Sequence, residues 1–445
     1  MINHEECQSI VKKIANKLAV DQYEIIISGQ DENLTRYANS MIHQNVKSES
    51  SHIQLRVIQD KKVGVSSCDN LTDEGLDFVI RNAMDICSLS KPDPEYVSLP
   101  EMTKSETPVD SLVDRSPHFT SPEYRAEVVS KICRQAIKKD VKAFGKMEAY
   151  QQVLFIANSL GVDQYKETTN CSFHAQIMKE LSSGFAQTSG NRLSDLDIDR
   201  VIDESIETCL SSVKLESLDP GEYEVILKPE ATIGILNMLS YMGFSTLAIQ
   251  EGRSYLSGMD GKQIFSDLIS IQDNFQDPLQ NQIPFDFEGV PKKMVQLIKQ
   301  GKFVDFVTDT KWSKKLNKPN SGHALPAPNP YGSFPRNLVL ESSDQGSWQE
   351  MVKGAKKAIL ITRFWYTNPL HPKKGVCTGL TRDGTFLVQN GRIEKAIRNF
   401  RFTDNLVSMF SRIMQVGADR RLYDDVVAPS LHGENLRFVS QAEAG

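Results

Sequence analysis

Histidine and cysteine are the side chains best suited to hold a metal or act as nucleophiles, and this 445-residue chain has eight of one and seven of the other. His4, His43, His52, His118, His174, His323, His371 and His432 stand far apart, and none has a second histidine at the interval a zinc site uses. Cys7, Cys68, Cys87, Cys133, Cys171, Cys209 and Cys377 form no CxxC pair, and their odd number and scatter fit reduced thiols rather than a disulfide framework. His371 and Cys377, in one loop-rich segment, are the nearest His/Cys combination and the candidates for a metal site. The alternative is a solvated imidazole and a structural thiol. A Ser-His-Asp triad joins distant positions and is not settled by counting. The chain does lack a Gly-x-Ser-x-Gly elbow and a helix-opening Gly-x-Gly-x-x-Gly.

Two further segments carry binding chemistry. Arg36, Asn39 and His43 alternate with partly apolar neighbours along an expected strand, so one face would offer hydrogen-bonding groups to an extended peptide while the other packs. The competing expectation is an edge or surface strand whose polar side is merely wet. Arg363-Phe364-Trp365-Tyr366 would line a cleft, with aromatics receiving peptide side chains and Arg363 meeting a carboxylate. Core or interface packing is the commoner fate of consecutive aromatics.

The elements that must position these residues belong to a globular chain with room for two cores, since domains run from about 50 to 250 residues. Hydrophobic residues make up 40% and charged residues 24%, with a mean hydropathy of -0.35. A net charge of -6, with both signs interspersed, gives no general attraction to nucleic acid or anionic lipid. The polar, acidic first residues lack the basic start and apolar stretch of a secretory signal, and no run reaches membrane-span length. A cytoplasmic protein is expected.

Helical periodicity predicts a first helix from Glu5 to Leu18, and extended patterns follow at Tyr23 to Ser28, Leu34 to Asn45 and Ile53 to Ser67. A second helix is expected from Thr72 to about Ser88, with Thr72 as its cap and Cys87 in register with Leu76, Ile80 and Ala83. Six of the nineteen prolines fall between Lys91 and Pro122, which predicts a surface connection without regular structure. Ser121-Pro122 restarts a helix, strands are expected between Lys142 and about Gln187, and a helix from Asp197 to Val213 closes this half. Asp219-Pro220-Gly221 reads as a boundary, which divides the chain into domains 1–217 and 218–445. The second opens with a strand at Tyr223 to Leu227 and an apolar helix over Pro229 to Ile249. Short strands follow at Lys302 to Thr308, Asn337 to Leu340, Ala358 to Arg363, Thr385 to Gln389 and Arg392 to Ile397. The predicted class is α+β: an N-terminal antiparallel sheet with helices, then a mostly β domain with one apolar helix.

Four segments in order resemble one known family. They are Thr35 to Asn45, Pro229 to Ile249, Gly261-Lys262-Gln263, and a long C-terminal stretch. The last holds Thr362 to Tyr366, Thr378-Gly379-Leu380-Thr381-Arg382-Asp383-Gly384, and Glu394 through Asn405, and resembles a signature of a strand, a Thr-Gly turn, a hairpin and a final helix. The pattern is similar to the TldD/PmbA family of metallopeptidase-related proteins, also labelled "modulator of DNA gyrase". The resemblance implies that a TldD-type helix at Pro229 to Ile249 would carry His-Glu-x-x-x-His, two imidazole ligands and a general base for zinc-bound water. From Ala231 to Ile249 this chain has no His, Glu, Asp or Cys; Leu236 to Phe244 fill the slot. In this it resembles the PmbA (TldE) branch. The expectation is therefore no catalytic residue and no cofactor in this chain, with zinc in a TldD-like catalytic partner or, alternatively, pairing with a second copy of itself. Short or unfolded peptides are the implied substrate. A self-sufficient peptidase using His371 or Cys377, or a homodimeric peptide-binding module, are the alternatives. The acidic pI, about 5.9, argues against direct DNA contact.

Overall fold

One order of elements, helix, three strands, helix, occurs twice in the first half of the chain. Helix α1 (His4–Ala15), strands β1 (Gln22–Ala38), β2 (Met41–Gln59) and β3 (Lys62–Cys68), and helix α2 (Asp73–Leu89) make the first copy. Helix α3 (Pro122–Lys138), strands β4 (Lys142–Asn158), β5 (Asp163–Lys179) and β6 (Ser182–Gly190), and helix α4 (Ile198–Ser211) make the second. The computed structural model describes residues 1–103, 112–344 and 346–441. All six strands join in one antiparallel sheet ordered β3-β2-β1-β4-β5-β6, so the two triplets meet at the β1–β4 pair.

The helices start where side-chain caps satisfy their first N–H groups. Asn3 and Glu6 form a reciprocal capping box on α1, Thr72 accepts from Gly75, Ser121 from Tyr124 and Asp197 from Arg200. All four helices cover the same face of the sheet. Alternate strand residues (Ile25, Ile27, Leu55, Phe155 for one copy; Met147, Phe173, Ala175, Ile177 for the other) enter two apolar cores beneath them. Two glycines allow the close approach. A Cβ on Gly64 would lie 2.0 Å from the Ala83 carbonyl of α2, and one on Gly184 would lie 2.1 Å from the Ser205 carbonyl of α4.

The second half begins with β7 (Leu215–Glu216), β8 (Gly221–Leu227), α5 (Pro229–Gly243), α6 (Thr246–Gln250), β9 (Ile271–Asp273), β10 (Val295–Lys299), β11 (Lys302–Phe303), α7 (Thr310–Leu316) and β12 (Leu338–Leu340). It continues with α8 (Trp348–Gly354), β13 (Lys357–His371), β14 (Val376–Gln389), β15 (Arg392–Ile397), β16 (Phe400–Asn405), α9 (Leu406–Phe410), β17 (Ile413–Val416), β18 (Arg421–Tyr423), β19 (Val426–Ala428) and β20 (Leu431–Gln441). Strands β11-β10-β9-β12-β19-β18 form one sheet. In the other, β13, β8, β20, β16 and β14 pair in a ring that β13–β14 closes. The large apolar core lies between them and takes in Leu236, Leu239 and Met242 of α5.

The α+β class predicted from sequence is the one observed, and several boundaries differ. The stretches expected as separate strands at Tyr23 to Ser28 and Leu34 to Asn45 are one long hairpin, with its turn at Asn39-Ser40, both at positive φ. The apolar helix is two helices, because the chain breaks after Gly243. A Cβ there would sit 2.2 Å from the Tyr255 ring, and Ser245 caps α6 through the Ala248 N–H. The strand expected from Lys302 to Thr308 stops at Phe303, and at its far end Thr308 bonds Ser321 instead of a ladder. Among the described residues the second half holds four further short α-helices besides α5, where the sequence predicted one apolar helix and the resemblance implied a final one. Residues 91–103 and 112–121 have no helix or strand, while 104–111 of that connection lie outside the described residues. Among the described residues no helix is long and apolar enough to cross a membrane.

Candidate functional site

The sheet face turned away from the four helices is polar, and the second half closes over it to leave a cleft of about 720 Å³. Its floor follows from strand periodicity: Lys146, Glu148, Tyr150 and Gln152 project from β4, and Asn170, Ser172 and His174 from β5, directly opposite in the ladder. Its roof is made of loops, with Asn281 to Phe287, Lys292, His323, Phe334 to Asn337, and the β18–β19 turn Tyr423-Asp424-Asp425.

The charges on these walls are mostly paired. Lys146 meets Glu148, which also accepts from Ser172 at 3.3 Å, and Arg336 lies 3.8 Å from Asp425. Burial, reinforced by Lys146 and Arg363, lowers His174 to about 4, so its imidazole is neutral near pH 7. Asp286 accepts N–H bonds from Ala324, Glu288 and Val290 at 2.8–2.9 Å. Burial, with Glu288 beside it, still pushes its carboxyl up to about 8. Lys292 donates to Asn337 at 2.7 Å and is lowered by burial.

Ser321, His323 and Asp273 meet at the inner wall. Ser321 Oγ is 3.0 Å from His323 Nδ1, and His323 Nε2 is 3.0 Å from Asp273 Oδ1. All three are buried. A nucleophile must reach a substrate carbonyl, whereas Ser321 Oγ accepts the Thr308 N–H at 2.7 Å and donates to the Thr308 carbonyl at 3.1 Å. The set therefore builds the wall. Burial would raise the Asp273 carboxyl, but His323, Lys292 and the Asn337 N–H outweigh it and hold it below its usual range. That carboxylate also accepts the Arg336 and Asn337 N–H groups at 2.7 and 2.8 Å, which fixes the loop lining the cleft.

Helix α5 borders an adjoining recess of about 400 Å³ through Asn237, Ser240 and Tyr241. Phe334, Arg336, Asp424 and Asp425 line both spaces. The one acid of α5, Glu230, is turned elsewhere: it accepts from Arg421 at 2.6 Å, beside Glu204 and Lys228. An amide, a hydroxyl and a phenol are not a zinc-ligand set, and they provide no base near neutral pH. The α5 wall therefore does not fit a catalytic zinc.

The residues singled out in the sequence fall in different places. Arg36 is exposed and opposes Lys146 across β1–β4, at the rim of the cleft face. Asn39 lies in the hairpin turn rather than on the strand. Strand β1 is internal, paired on both sides, so it has no edge to offer an added peptide. His43 is exposed on β2. Arg363 does meet a carboxylate, but it is the chain's own: its guanidinium binds buried Asp383 (Nε to Oδ2, 2.6 Å) and stacks 3.9 Å from the Phe185 ring centroid. Trp365 is stacked by Arg382, and Tyr366 is 69% exposed at positive φ; neither lines the cleft. His371 and Cys377 do not converge. His371 is exposed, while Cys377 is buried in the apolar core, where burial pushes its thiol up to about 12. Among the described residues no three His, Cys, Asp or Glu side chains gather closely enough to hold a metal. Sequence reasoning missed Lys146, Glu148 and His174, although polar residues at alternate positions beside Met147, Ala149 and Phe173 signal a second, wet face.

Comparison with known proteins places these features in context. Residues 220–440 match the family model "PmbA/TldA metallopeptidase C-terminal domain", and residues 23–87 match "PmbA/TldA metallopeptidase domain 1". The chain is 23% identical over 402 residues to metalloprotease PmbA of Escherichia coli O157:H7, covering 87% of this chain and 85% of that one. It is 24% identical over 252 residues to a zinc metalloprotease TldD homologue of Saccharolobus solfataricus, covering 55% of this chain and 54% of that one. The crystal structure of TldE from Thermococcus kodakarensis superposes with a TM-score of 0.85 at 19% identity, covering 98% of this chain and all of that one. A proposed modulator of a DNA gyrase from Thermotoga maritima also gives 0.85, at 20% identity, with 97% of this chain covered and all of that one.

Proposed function

The chain belongs to the PmbA/TldD metallopeptidase family, and from that footing we propose that it is the non-catalytic subunit of a zinc-dependent peptidase, holding short or unfolded peptides in its cleft while a TldD-like partner supplies the zinc. One observation carries this: α5 faces the recess with Asn237, Ser240 and Tyr241, and its lone carboxylate is bound to Arg421. The cleft itself supports peptide binding. It is lined by hydrogen-bonding groups at strand spacing and bordered by Phe285, Phe287, Phe334 and Tyr423, a combination suited to backbone amides and mixed side chains. Arg36 extends the proposed peptide path at the rim. Arg363, already engaged by Asp383, acts by holding Phe185 and lowering His174 rather than by taking a substrate carboxylate.

The test is reconstitution. The purified chain should leave an unfolded peptide intact, and adding the TldD-like protein of the same organism should produce cleavage faster than that protein achieves alone. Cleavage by the chain alone, or a partner whose rate does not change on mixing, would count against the proposal; the latter would favour a peptide-binding homodimer.

A further inference from the structure

Resting on the reading of the cleft as a peptide site, we propose that the recess beside α5 selects a lysine or arginine side chain of the bound peptide, with Asp424 meeting its cation. Charge pairing points there. Lys146 is taken by Glu148 and Arg336 faces Asp425, which also accepts from Asn281 at 3.3 Å. Asp424 has no hydrogen bond or ion pair among the described residues, yet it lines both the cleft and the recess. Asp424 is exposed at the edge of the recess and so open to an arriving cation; desolvation and the neighbouring Asp425 raise its carboxyl, while Lys146 opposes them.

The second observation is independent of the acids. Ser240 borders this recess and is 3% exposed, and its Oγ is buried without a hydrogen-bond partner. A buried hydroxyl left unpaired carries an uncompensated desolvation cost, and a ligand's polar group reaching it from the recess would relieve that cost. Between these groups the walls are apolar, with Leu325, Tyr331 and Phe334 placed to cover an aliphatic stem. The volume of about 400 Å³ is ample for one long side chain. An open recess with apolar walls and an unpaired carboxylate at its edge is chemistry for a basic side chain, and it stands where the family's zinc chemistry is lacking.

The test uses the full chain and two fluorescent, unfolded peptides identical except for lysine or norleucine at one central position. The wild type should bind the lysine peptide at least about tenfold more tightly, the scale of one charge-assisted contact. Asp424→Asn should remove that preference, so that the variant binds the two peptides with equal affinity. Asp424 sits at φ 49° in a two-residue turn, where asparagine is as well accommodated as aspartate, so the variant keeps its fold. Asp60→Asn, in another left-handed turn outside the cleft, removes the same net charge and should keep the preference. Equal affinities in the wild type, or a preference surviving Asp424→Asn, would overturn the assignment while leaving peptide binding intact. Binding of neither peptide would sink both.

Discussion

At the scale of single residues, the buried charges between the two halves decide more than the surface pairs do. Glu204 of α4 reaches Lys228, Arg200 and Arg421, and the same Arg421 holds Glu230 at the start of α5. Burial alone would raise Glu204, but the three cations outweigh it and bring it down to about 2. A carboxylate depressed in the folded state contributes stability above its unfolded pKa, near 4.5, and loses it as pH falls through about 2. Replacing Glu204 by glutamine leaves those cations under-compensated and should cost about 3 kcal/mol near pH 7. The gap between wild type and variant should stay level from pH 8 to about 5, then narrow below about 4.5. Urea midpoints across that range measure it, and a gap that does not narrow on the acid side would show that Glu204 is not held by these partners.

At the scale of elements, glycine contacts separate helices that rest on strands from those with room to spare. Gly184→Ala puts a methyl within 2.1 Å of backbone in α4, and Gly64→Ala does the same against α2. Each should lower stability by about 1–3 kcal/mol through overpacking. A Cβ on Gly234 of α5 would meet nothing within 4 Å, so Gly234→Ala should raise stability by about 0.5–1 kcal/mol through helix propensity. Denaturant midpoints of the three variants check both signs, and a neutral Gly184→Ala would mean that α4 is free to shift off β6. Much of this level was legible beforehand. Thr72, Ser121 and Asp197 announce their helices because a cap and an apolar stripe are local signals. The length of the β1–β2 hairpin was not, because residues 43–51 are polar except for Val46, are largely exposed and carry no alternation. The break after Gly243 depends on the Tyr255 ring, a tertiary contact with no local mark.

At the scale of the whole molecule, the cleft exists because two halves distant in sequence are locked face to face. Arg56 bonds Glu24 at 2.6 Å and lies 3.8 Å from Glu288; Gln187 and Ser189 donate to the Leu422 carbonyl, and Asn191 to that of Gln280. Neither the roof loops nor the Asp273–His323 contact could be read from spacing, since their partners are tens to hundreds of residues away. The missing zinc motif could be read, because His-Glu-x-x-x-His is a local pattern on one helix and its replacement within Leu236 to Phe244 is equally local. The most direct test of the non-catalytic role is elemental analysis of the purified chain, run with a peptide-cleavage assay before and after chelation. The expected result is zinc well below stoichiometry and no chelator-sensitive cleavage. One tightly held zinc per chain, with cleavage that chelation abolishes, would contradict it.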